Sequence, residues 1–218
     1  MGTDYSLYLI ADADYAAGRD LAGLVDAAVA GGVTVVQLRA KGLAGGAFVE
    51  LGLALAGRLA ARGVPLLVND RLDVALACRA AGVHLGQEDV PVPLARRILG
   101  PGATIGVSVN TTEEARRAER EGADYVGAGP AFATSTKETP LPVLGPEGIG
   151  LIAAATRIPV VAIGGISPEN AAELGRAGAG GIAVVSAILG APDVKRAAEN
   201  LKKSFMTYSK KGGRYEHG

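Results

Sequence analysis

Short runs of Val, Ile, Leu and Ala alternate along the chain with longer segments whose apolar residues recur at helical spacing. Most of the short runs are apolar at every position, which is typical of parallel strands covered on both faces. The alternation therefore predicts eight βα units. The predicted strands are Leu7–Ala11, Val33–Leu38, Pro65–Asn69, Gly82–Leu85, Thr104–Val107, Tyr125–Gly127, Pro159–Ile163 and Gly181–Val185. The predicted helices are Asp20–Ala30, Gly46–Arg62, Leu72–Ala81, Val92–Leu99, Thr112–Glu121, Pro146–Ala155, Pro168–Arg176 and Pro192–Phe205.

The number of units in this length predicts the fold class. Eight βα units within about 200 residues favour an α/β fold made of a single (β/α)8 TIM barrel. An open doubly wound sheet is the alternative that the same pattern allows. We assign residues 1–208 to one catalytic barrel domain. Residues 209–218 are rich in Lys and Gly and have no apolar periodicity, so we expect them to form a disordered C-terminal tail.

Composition and charge exclude several classes of function. The 22 basic and 22 acidic residues give a formal net charge of zero, which predicts no nucleic-acid partner. No stretch of about 18 residues is continuously apolar, so the sequence predicts no membrane span. Cys78 is the only cysteine and no charged leader precedes an apolar run, so we expect a reducing, cytoplasmic location. A homo-oligomer is compatible with this composition.

Polar residues follow the predicted strands at the barrel rim where active sites of this architecture are built. The first group is Gln37, Arg39 and Lys41. Because alternate side chains of a strand point to the same face, we expect all three to point into the barrel mouth. Two inward cations predict an anionic ligand rich in phosphate, because unpaired buried charge is costly. The alternative is a solvated strand end whose cations pair with nearby carboxylates.

Two aspartates follow neighbouring strands. Asp70 follows Asn69, the last residue of the third predicted strand, and Asp89 lies just beyond the fourth. Mg²⁺ takes one or two protein carboxylates and fills its other positions with water and phosphate oxygens, so this pair predicts a magnesium site. The alternative for Asp70 is an N-cap of the helix that starts at Leu72, with a salt bridge to Arg71.

The segment from 128 to 145 is long for a connection in a compact barrel, and such loops are usually functional lids. It contains Thr134, Ser135, Thr136 and Lys137, whose hydroxyl and ammonium groups suit an anion. We therefore predict a lid that closes over a phosphorylated ligand.

A second phosphate site is predicted after the last two strands. Gly164 and Gly165 follow the seventh strand, and Val185 and Ser186 follow the eighth, where barrels commonly bind phosphate through backbone N–H groups. A simple turn is the alternative for the glycine pair.

Two residues with potential chemistry are interpreted as structural. His84 lies in an apolar strand and Cys78 in an apolar helix, so we predict core or local hydrogen-bonding roles for both. The chain has only two histidines, which argues against a zinc site and against a Ser-His-Asp hydrolase.

Taken together, these segments resemble the thiamine phosphate synthase family along almost the whole chain, from Tyr8–Asp12 to Val184–Ile188. The specific matches are Gln37–Lys41, Asn69–Arg71, Gly82–Asp89, Gly129–Lys137 and Ala162–Ile166. The ordered set is far more specific than any single motif.

The resemblance implies a transferase that joins 4-amino-2-methyl-5-hydroxymethylpyrimidine diphosphate to 4-methyl-5-(2-hydroxyethyl)thiazole phosphate, or its carboxylated form, and releases pyrophosphate. It implies Mg²⁺ as cofactor and two phosphorylated small molecules as substrates. The implied catalytic residues are Arg39, Lys41, Lys137 and Ser108. The implied contacts of the pyrimidine diphosphate are Gln37, Arg39, Lys41, Asn69, Ser108 and Lys137. The implied contacts of the thiazole phosphate are Thr134, Thr136, Gly165, Val185 and Ser186, and the implied metal ligands are Asp70 and Asp89.

Loss of pyrophosphate would leave a pyrimidine-methyl cation that the thiazole nitrogen captures, with no protein nucleophile.

The sequence differs from the family pattern at Asn110, where members usually carry histidine. Two alternatives are kept: a thiazole tautomerase on the same barrel, and a phosphate-binding module without catalysis. The presence of Asp70, Asp89 and Lys137 together favours the synthase.

Overall fold

The computed structural model describes residues 2–134 and 141–209. Its strands are β1 (Leu7–Asp12), β2 (Val35–Arg39), β3 (Leu66–Asn69), β4 (Gly82–Leu85), β5 (Thr104–Val109), β6 (Tyr125–Ala128), β7 (Val160–Ile163) and β8 (Gly181–Val184). Its helices are α1 (Leu21–Ala30), α2 (Gly45–Ala60), α3 (Leu72–Ala77), α4 (Val92–Leu99), α5 (Thr112–Arg120), α6 (Gly145–Ala155), α7 (Ala171–Arg176), α8 (Ser186–Leu189) and α9 (Val194–Ser209).

The eight strands form one closed parallel barrel in chain order, which confirms the predicted fold class. Closure is made by β1, which pairs with β2 on one side and with β8 on the other. The pairing of β1 with β2 runs to Asp12 opposite Arg39, so the last residues of both strands meet at the same rim. The open doubly wound alternative is excluded, because that sheet would have two unpaired edges.

Two apolar regions stabilise the barrel. The larger lies between the outward faces of the strands and the surrounding helices and includes Leu55, Leu59 and Phe205. The smaller fills the inside of the barrel, and its buried members are Tyr5, Tyr8, Ile10, Val35, Leu67, Tyr125, Val161 and Ala183. Strands that are buried on both faces read as continuous apolar runs, which is why the sequence pattern identifies all eight.

Helix ends differ from the predictions where local hydrogen bonds decide them. The predicted start of α5 is confirmed, because Thr111 Oγ1 accepts from the Glu114 N–H at 3.1 Å in a reciprocal capping box. The predicted start of α7 at Pro168 is wrong: Ser167 N–H donates to Asn170 Oδ1 at 2.8 Å, which holds 167–170 as a turn before the helix. The short helix α8 was not predicted, since four residues are too few to show a helical period.

The predicted tail 209–218 lies outside the described residues except for Ser209, which is the last residue of α9. Among the described helices, none has both the length and the hydropathy that crossing a membrane requires.

Candidate active site

The end of β2 places its cations at the rim, and each has a carboxylate partner. Arg39 Nη1 lies 2.5 Å from Asp12 Oδ2, and Lys41 Nζ lies 3.4 Å from Asp70 Oδ2. The alternative prediction for these residues, that the cations pair with nearby carboxylates, therefore holds in the structure. Lys41 keeps 60% of its side chain exposed, so the same group is also open to an anionic ligand. Gln37 is buried, and its amide nitrogen donates to Tyr8 Oη at 2.7 Å.

Asp12 is a site residue that the sequence reasoning missed. It is buried at the end of β1, and its Oδ1 accepts from the backbone N–H groups of Asp14 and Tyr15 at 3.0 and 3.1 Å. Its other oxygen accepts from Arg39. A carboxylate fixed by two backbone donors holds the guanidinium in one orientation at the barrel mouth. The signal that would have found it is its position, because it ends a strand as the other candidates do.

The structure brings Asp70 and Asp89 together, as predicted. Burial is the main cause that raises the pKa of Asp70, followed by a hydrogen bond and charge repulsion from Asp89, while Lys41 opposes the shift. Asp70 has a left-handed backbone with φ of 62°, and its N–H donates to the His84 carbonyl at 2.9 Å, so the backbone fixes where the carboxylate points. Asp89 is fixed by accepting from the Gly86 N–H at 2.6 Å.

The alternative roles of Asp70 are wrong. The N-cap position of α3 is Arg71, which makes no capping bond with its side chain. Arg71 instead forms a bidentate pair with Asp73, at 2.8 and 2.6 Å. Neither a cap nor a salt bridge to Arg71 therefore explains the carboxylate at position 70.

The donor set at Asp70 and Asp89 fits a hard divalent cation of the magnesium type. Among the described residues, no group of three or more His, Cys, Asp and Glu side chains is arranged to hold a metal. Mg²⁺ needs only one or two carboxylates and keeps water and substrate oxygens as its other ligands. Burial and the neighbouring Asp89 disfavour the ionised form of Asp70 and so raise its pKa, and a divalent cation bound between the two carboxylates would relieve this cost.

A continuous hydrogen-bond chain crosses the inside of the barrel below this rim. Gln37 contacts Tyr8, the hydroxyls of Tyr8 and Tyr125 lie 2.8 Å apart, and Tyr125 Oη lies 2.8 Å from His84 Nδ1. His84 Nε2 then lies 2.9 Å from Ser108 Oγ. His84 is a local hydrogen-bonding residue, as predicted, but it connects Ser108 to the interior rather than only filling space.

Cys78 is structural, as predicted. It is buried on the outer side of the barrel, and burial raises the pKa of its thiol. Its side chain contacts Gly52 of α2, where an added Cβ would lie 3.1 Å from the sulfur. The residue packs α3 against α2 and lies away from the rim.

Asn110 connects the two sides of the long loop after β6. Its Nδ2 donates to the carbonyl of Gly129 at 2.8 Å and to that of Pro142 at 3.3 Å. Thr134 lies within the described part of this loop and is half-buried. The predicted contacts Thr136 and Lys137 lie outside the described residues.

The corner after β7 and β8 holds the remaining predicted residues. Gly165 has φ of 63°, and a Cβ at this position would overlap the carbonyl of Ala133, so the loop backbone lies directly against the glycine. Val185 precedes the short helix α8, which Ser186 begins. Since β7 pairs with β8, Gly165 and Ser186 follow adjacent strands at one rim. The glycine pair thus forms a close backbone approach as well as a turn.

Comparison with known proteins matches residues 7–188 to the family model described as thiamine monophosphate synthase. The matched span contains all eight strands. The chain belongs to the thiamine monophosphate synthase family. This membership confirms the resemblance deduced from the motifs.

Named relatives in this family cover nearly the full chain. The thiamine-phosphate synthase of Moorella thermoacetica is 48% identical over 199 residues, covering 91% of this chain and 95% of the relative. That of Albidiferax ferrireducens is 52% identical over 197 residues, covering 90% of each. The solved structure of thiamine phosphate pyrophosphorylase from Pyrococcus furiosus is 40% identical with a TM-score of 0.85, covering 94% of this chain and 98% of that one. These relatives give no support to the tautomerase alternative.

Proposed function

We propose that this chain is a magnesium-dependent thiamine-phosphate synthase. It joins the aminopyrimidine-methyl diphosphate to the thiazole phosphate and releases pyrophosphate. The observation that carries the proposal is the meeting of the Asp70–Asp89 pair with Arg39 and Lys41 at one rim of the barrel. A diphosphate leaving group needs both features, because it develops negative charge that cations must stabilise.

The diphosphate subsite is assigned to the rim after β2 and β3. Arg39 is oriented by Asp12, so its remaining N–H groups have a defined direction toward the mouth. Lys41 is a flexible cation that is mostly exposed, which suits an approach to a mobile phosphate group. Gln37, Asn69 and Lys137 complete this subsite in the proposal, on the strength of the family motifs.

Asp70 and Asp89 are the residues that would hold Mg²⁺. When bound there, the ion would neutralise charge on the diphosphate and so lower the cost of its departure. Lys41 contacts Asp70 already, so the ammonium lies within reach of any phosphate oxygen that approaches this carboxylate.

The thiazole phosphate subsite is assigned to the corner after β7 and β8, with Thr134, Thr136, Gly165, Val185 and Ser186 as its contacts. Phosphate is commonly bound in this corner of (β/α)8 barrels by backbone N–H groups. The close approach of the 129–134 backbone to Gly165 supports this assignment, because it brings the loop and the corner together.

The proposed reaction needs charge stabilisation and alignment rather than a protein nucleophile. The carbon–oxygen bond to the diphosphate breaks with its electron pair on pyrophosphate, and the thiazole nitrogen then forms the carbon–nitrogen bond. Ser108 lies between the two subsites on β5 and is exposed at the mouth, where it can contact the pyrimidine ring. Arg39 and Lys41 stabilise the departing anion, and Lys137 is assigned the same role.

A cytoplasmic enzyme is part of the proposal, since the buried thiol of Cys78 suits a reducing compartment. A homo-oligomer stays a prediction, and sedimentation of the purified protein tests it.

Pyrophosphate release tests the function directly. The purified chain is mixed with each substrate alone and with both, and Asp89→Ala and Asp73→Ala variants are run beside it. Release should need both substrates and be largely lost in Asp89→Ala, whereas Asp73 lies on the exposed face of α3 and its variant should behave as wild type. Isomerisation of the thiazole substrate without release would indicate the tautomerase, and binding without turnover would indicate a non-catalytic module.

A further inference from the structure

The hydrogen-bond chain from Gln37 to Ser108 has a defined direction. The amide nitrogen of Gln37 can only donate, and a phenol carries a single proton. Since Gln37 donates to Tyr8, the Tyr8 proton is available to Tyr125 at 2.8 Å. Tyr125 can then donate its own proton to His84 Nδ1, also at 2.8 Å. Taken alone, the Tyr8–Tyr125 bond could run either way; among the described residues, however, the Tyr8 hydroxyl contacts only the Gln37 amide nitrogen and Tyr125 Oη, so its proton has Tyr125 as acceptor and the later bonds run in the same direction.

The direction sets the tautomer of the imidazole. A neutral imidazole whose Nδ1 accepts a hydrogen bond carries its proton on Nε2. His84 Nε2 lies 2.9 Å from Ser108 Oγ and so donates to the serine oxygen. The hydroxyl proton of Ser108 is then directed to another acceptor, and Ser108 is exposed where β5 reaches the barrel mouth.

The barrel interior is built around these groups. A Cβ at Gly106 would overlap the ring of Tyr125, and a Cβ at Gly127 would lie 2.9 Å from His84 Cε1. Both glycines are therefore required for the two rings to occupy the interior. Tyr8 and Tyr125 are completely enclosed, and burial raises the pKa of both phenols, so both keep their protons at neutral pH.

We propose that this hydrogen-bond chain fixes the Nε2–H tautomer of His84 and so keeps the hydroxyl proton of Ser108 available for an acceptor nitrogen of the substrate ring. Tyr8 and Tyr125 are positioning residues that act through His84. The inference that Ser108 contacts the pyrimidine ring of the substrate rests on the proposed function, whereas the inferred tautomer of His84 does not. The hydrogen-bond chain makes the Ser108 hydroxyl a hydrogen-bond donor, so the site favours a substrate ring that presents an acceptor atom to it.

The first test reads the tautomer in the ligand-free protein by long-range ¹H–¹⁵N NMR correlation. The sequence holds only His84 and His217, so a His217→Gln variant assigns the signals. We expect the proton on Nε2 in the wild type and a changed tautomer population in Tyr125→Phe. Tyr5→Phe is the matched control, because the ring centroids of Tyr5 and Tyr125 lie 4.7 Å apart while the Tyr5 hydroxyl is not part of the hydrogen-bond chain. A proton on Nδ1, or the same tautomer in all three proteins, would overturn the proposal.

The second test separates positioning from folding. Tyr125→Phe and Tyr8→Phe should each lower kcat/KM for the pyrimidine diphosphate by about tenfold, the effect of one neutral hydrogen bond, and leave the KM for the thiazole phosphate unchanged. Tyr8→Phe gives a second reading if Tyr125→Phe does not fold, as judged by circular dichroism. Unchanged kinetics in a folded variant with a changed tautomer would refute the positioning role. Absence of turnover in the wild type would refute the proposed function instead and leave the tautomer test intact.

Discussion

Replacing Asp70 by Asn should stabilise the metal-free protein and remove its response to magnesium. The carboxylate is three-quarters buried beside Asp89, so the folded chain disfavours its ionised form. Asparagine keeps the shape of the side chain and tolerates the left-handed backbone found at this position. The substitution therefore removes the charge without adding backbone strain.

The size of the stability gain from Asp70→Asn follows from three effects on the Asp70 charge: repulsion by Asp89, attraction by Lys41, and burial. Repulsion from Asp89 disfavours the charge on Asp70; its scale is that of two like charges about 4 Å apart at an effective dielectric constant near 20, about 4 kcal/mol. Lys41, 3.4 Å from Asp70, attracts it by a similar amount, reduced by solvent because the lysine is 60% exposed. With the charge terms nearly cancelled, burial determines the sign and raises the pKa of Asp70. We expect a net gain of about 1 kcal/mol at neutral pH, or about 2–4 °C in Tm for a chain of this size.

The pH dependence gives an independent check of the sign. A raised pKa means that the folded chain binds this proton more tightly than the unfolded chain does. The penalty of charging Asp70 is therefore present at neutral pH, fades as the pH falls through the raised pKa, and is absent below about 4, the ordinary value for aspartate. The gain from Asp70→Asn should vanish over the same range.

Thermal unfolding with and without Mg²⁺ measures both effects. At a hundredfold excess over its Kd, the ion should stabilise the wild type by about 2.7 kcal/mol and Asp70→Asn far less. Asp73→Asn is the control: its pair with Arg71 lowers the pKa of Asp73 to about 2, so the variant should lose a few tenths of a kcal/mol and keep the magnesium response. A destabilised Asp70→Asn at neutral pH, or one with the full magnesium response, would refute this reasoning.

Three further substitutions test the supports of the site. Asp12→Asn should cost about 2 kcal/mol in chemical unfolding and raise the KM for the pyrimidine diphosphate, because Arg39 loses its partner; an unchanged KM would contradict this. Gly165→Ala should cost about 1–3 kcal/mol and raise the KM for the thiazole phosphate, whereas Gly178→Ala, with φ of 94° but no close backbone, should show strain alone in thermal melts. Asn110→Ala should cost about 1–2 kcal/mol by leaving carbonyls of the loop unsatisfied, and a melt identical to wild type would exclude that role.

The sequence predicts the barrel well because its information is periodic. Each strand is short, apolar and followed by a helix, so strand positions and the order around the barrel follow from pattern alone. Deviations occur where one hydrogen bond decides a boundary, as Ser167 with Asn170 does before α7. A four-residue element such as α8 has no period that a pattern could reveal.

The site is predicted in part for a related reason. Lys41, Asp70 and Asp89 stand at strand ends, where position alone makes a polar residue a candidate. Tyr8 and Tyr125 lie deeper in their strands and read as core, because nothing in the sequence shows that their hydroxyls meet across the barrel. That meeting depends on closure between strands distant in sequence, which periodicity does not encode.

The most direct test of the synthase assignment is the amount of each product formed from both substrates, first with Mg²⁺, then with a chelator, then with the ion restored. We predict thiamine phosphate and pyrophosphate in equal amounts, loss of both with the chelator, and recovery of both on restoring magnesium. Turnover that continues unchanged without the metal, or pyrophosphate formed without thiamine phosphate, would contradict this prediction.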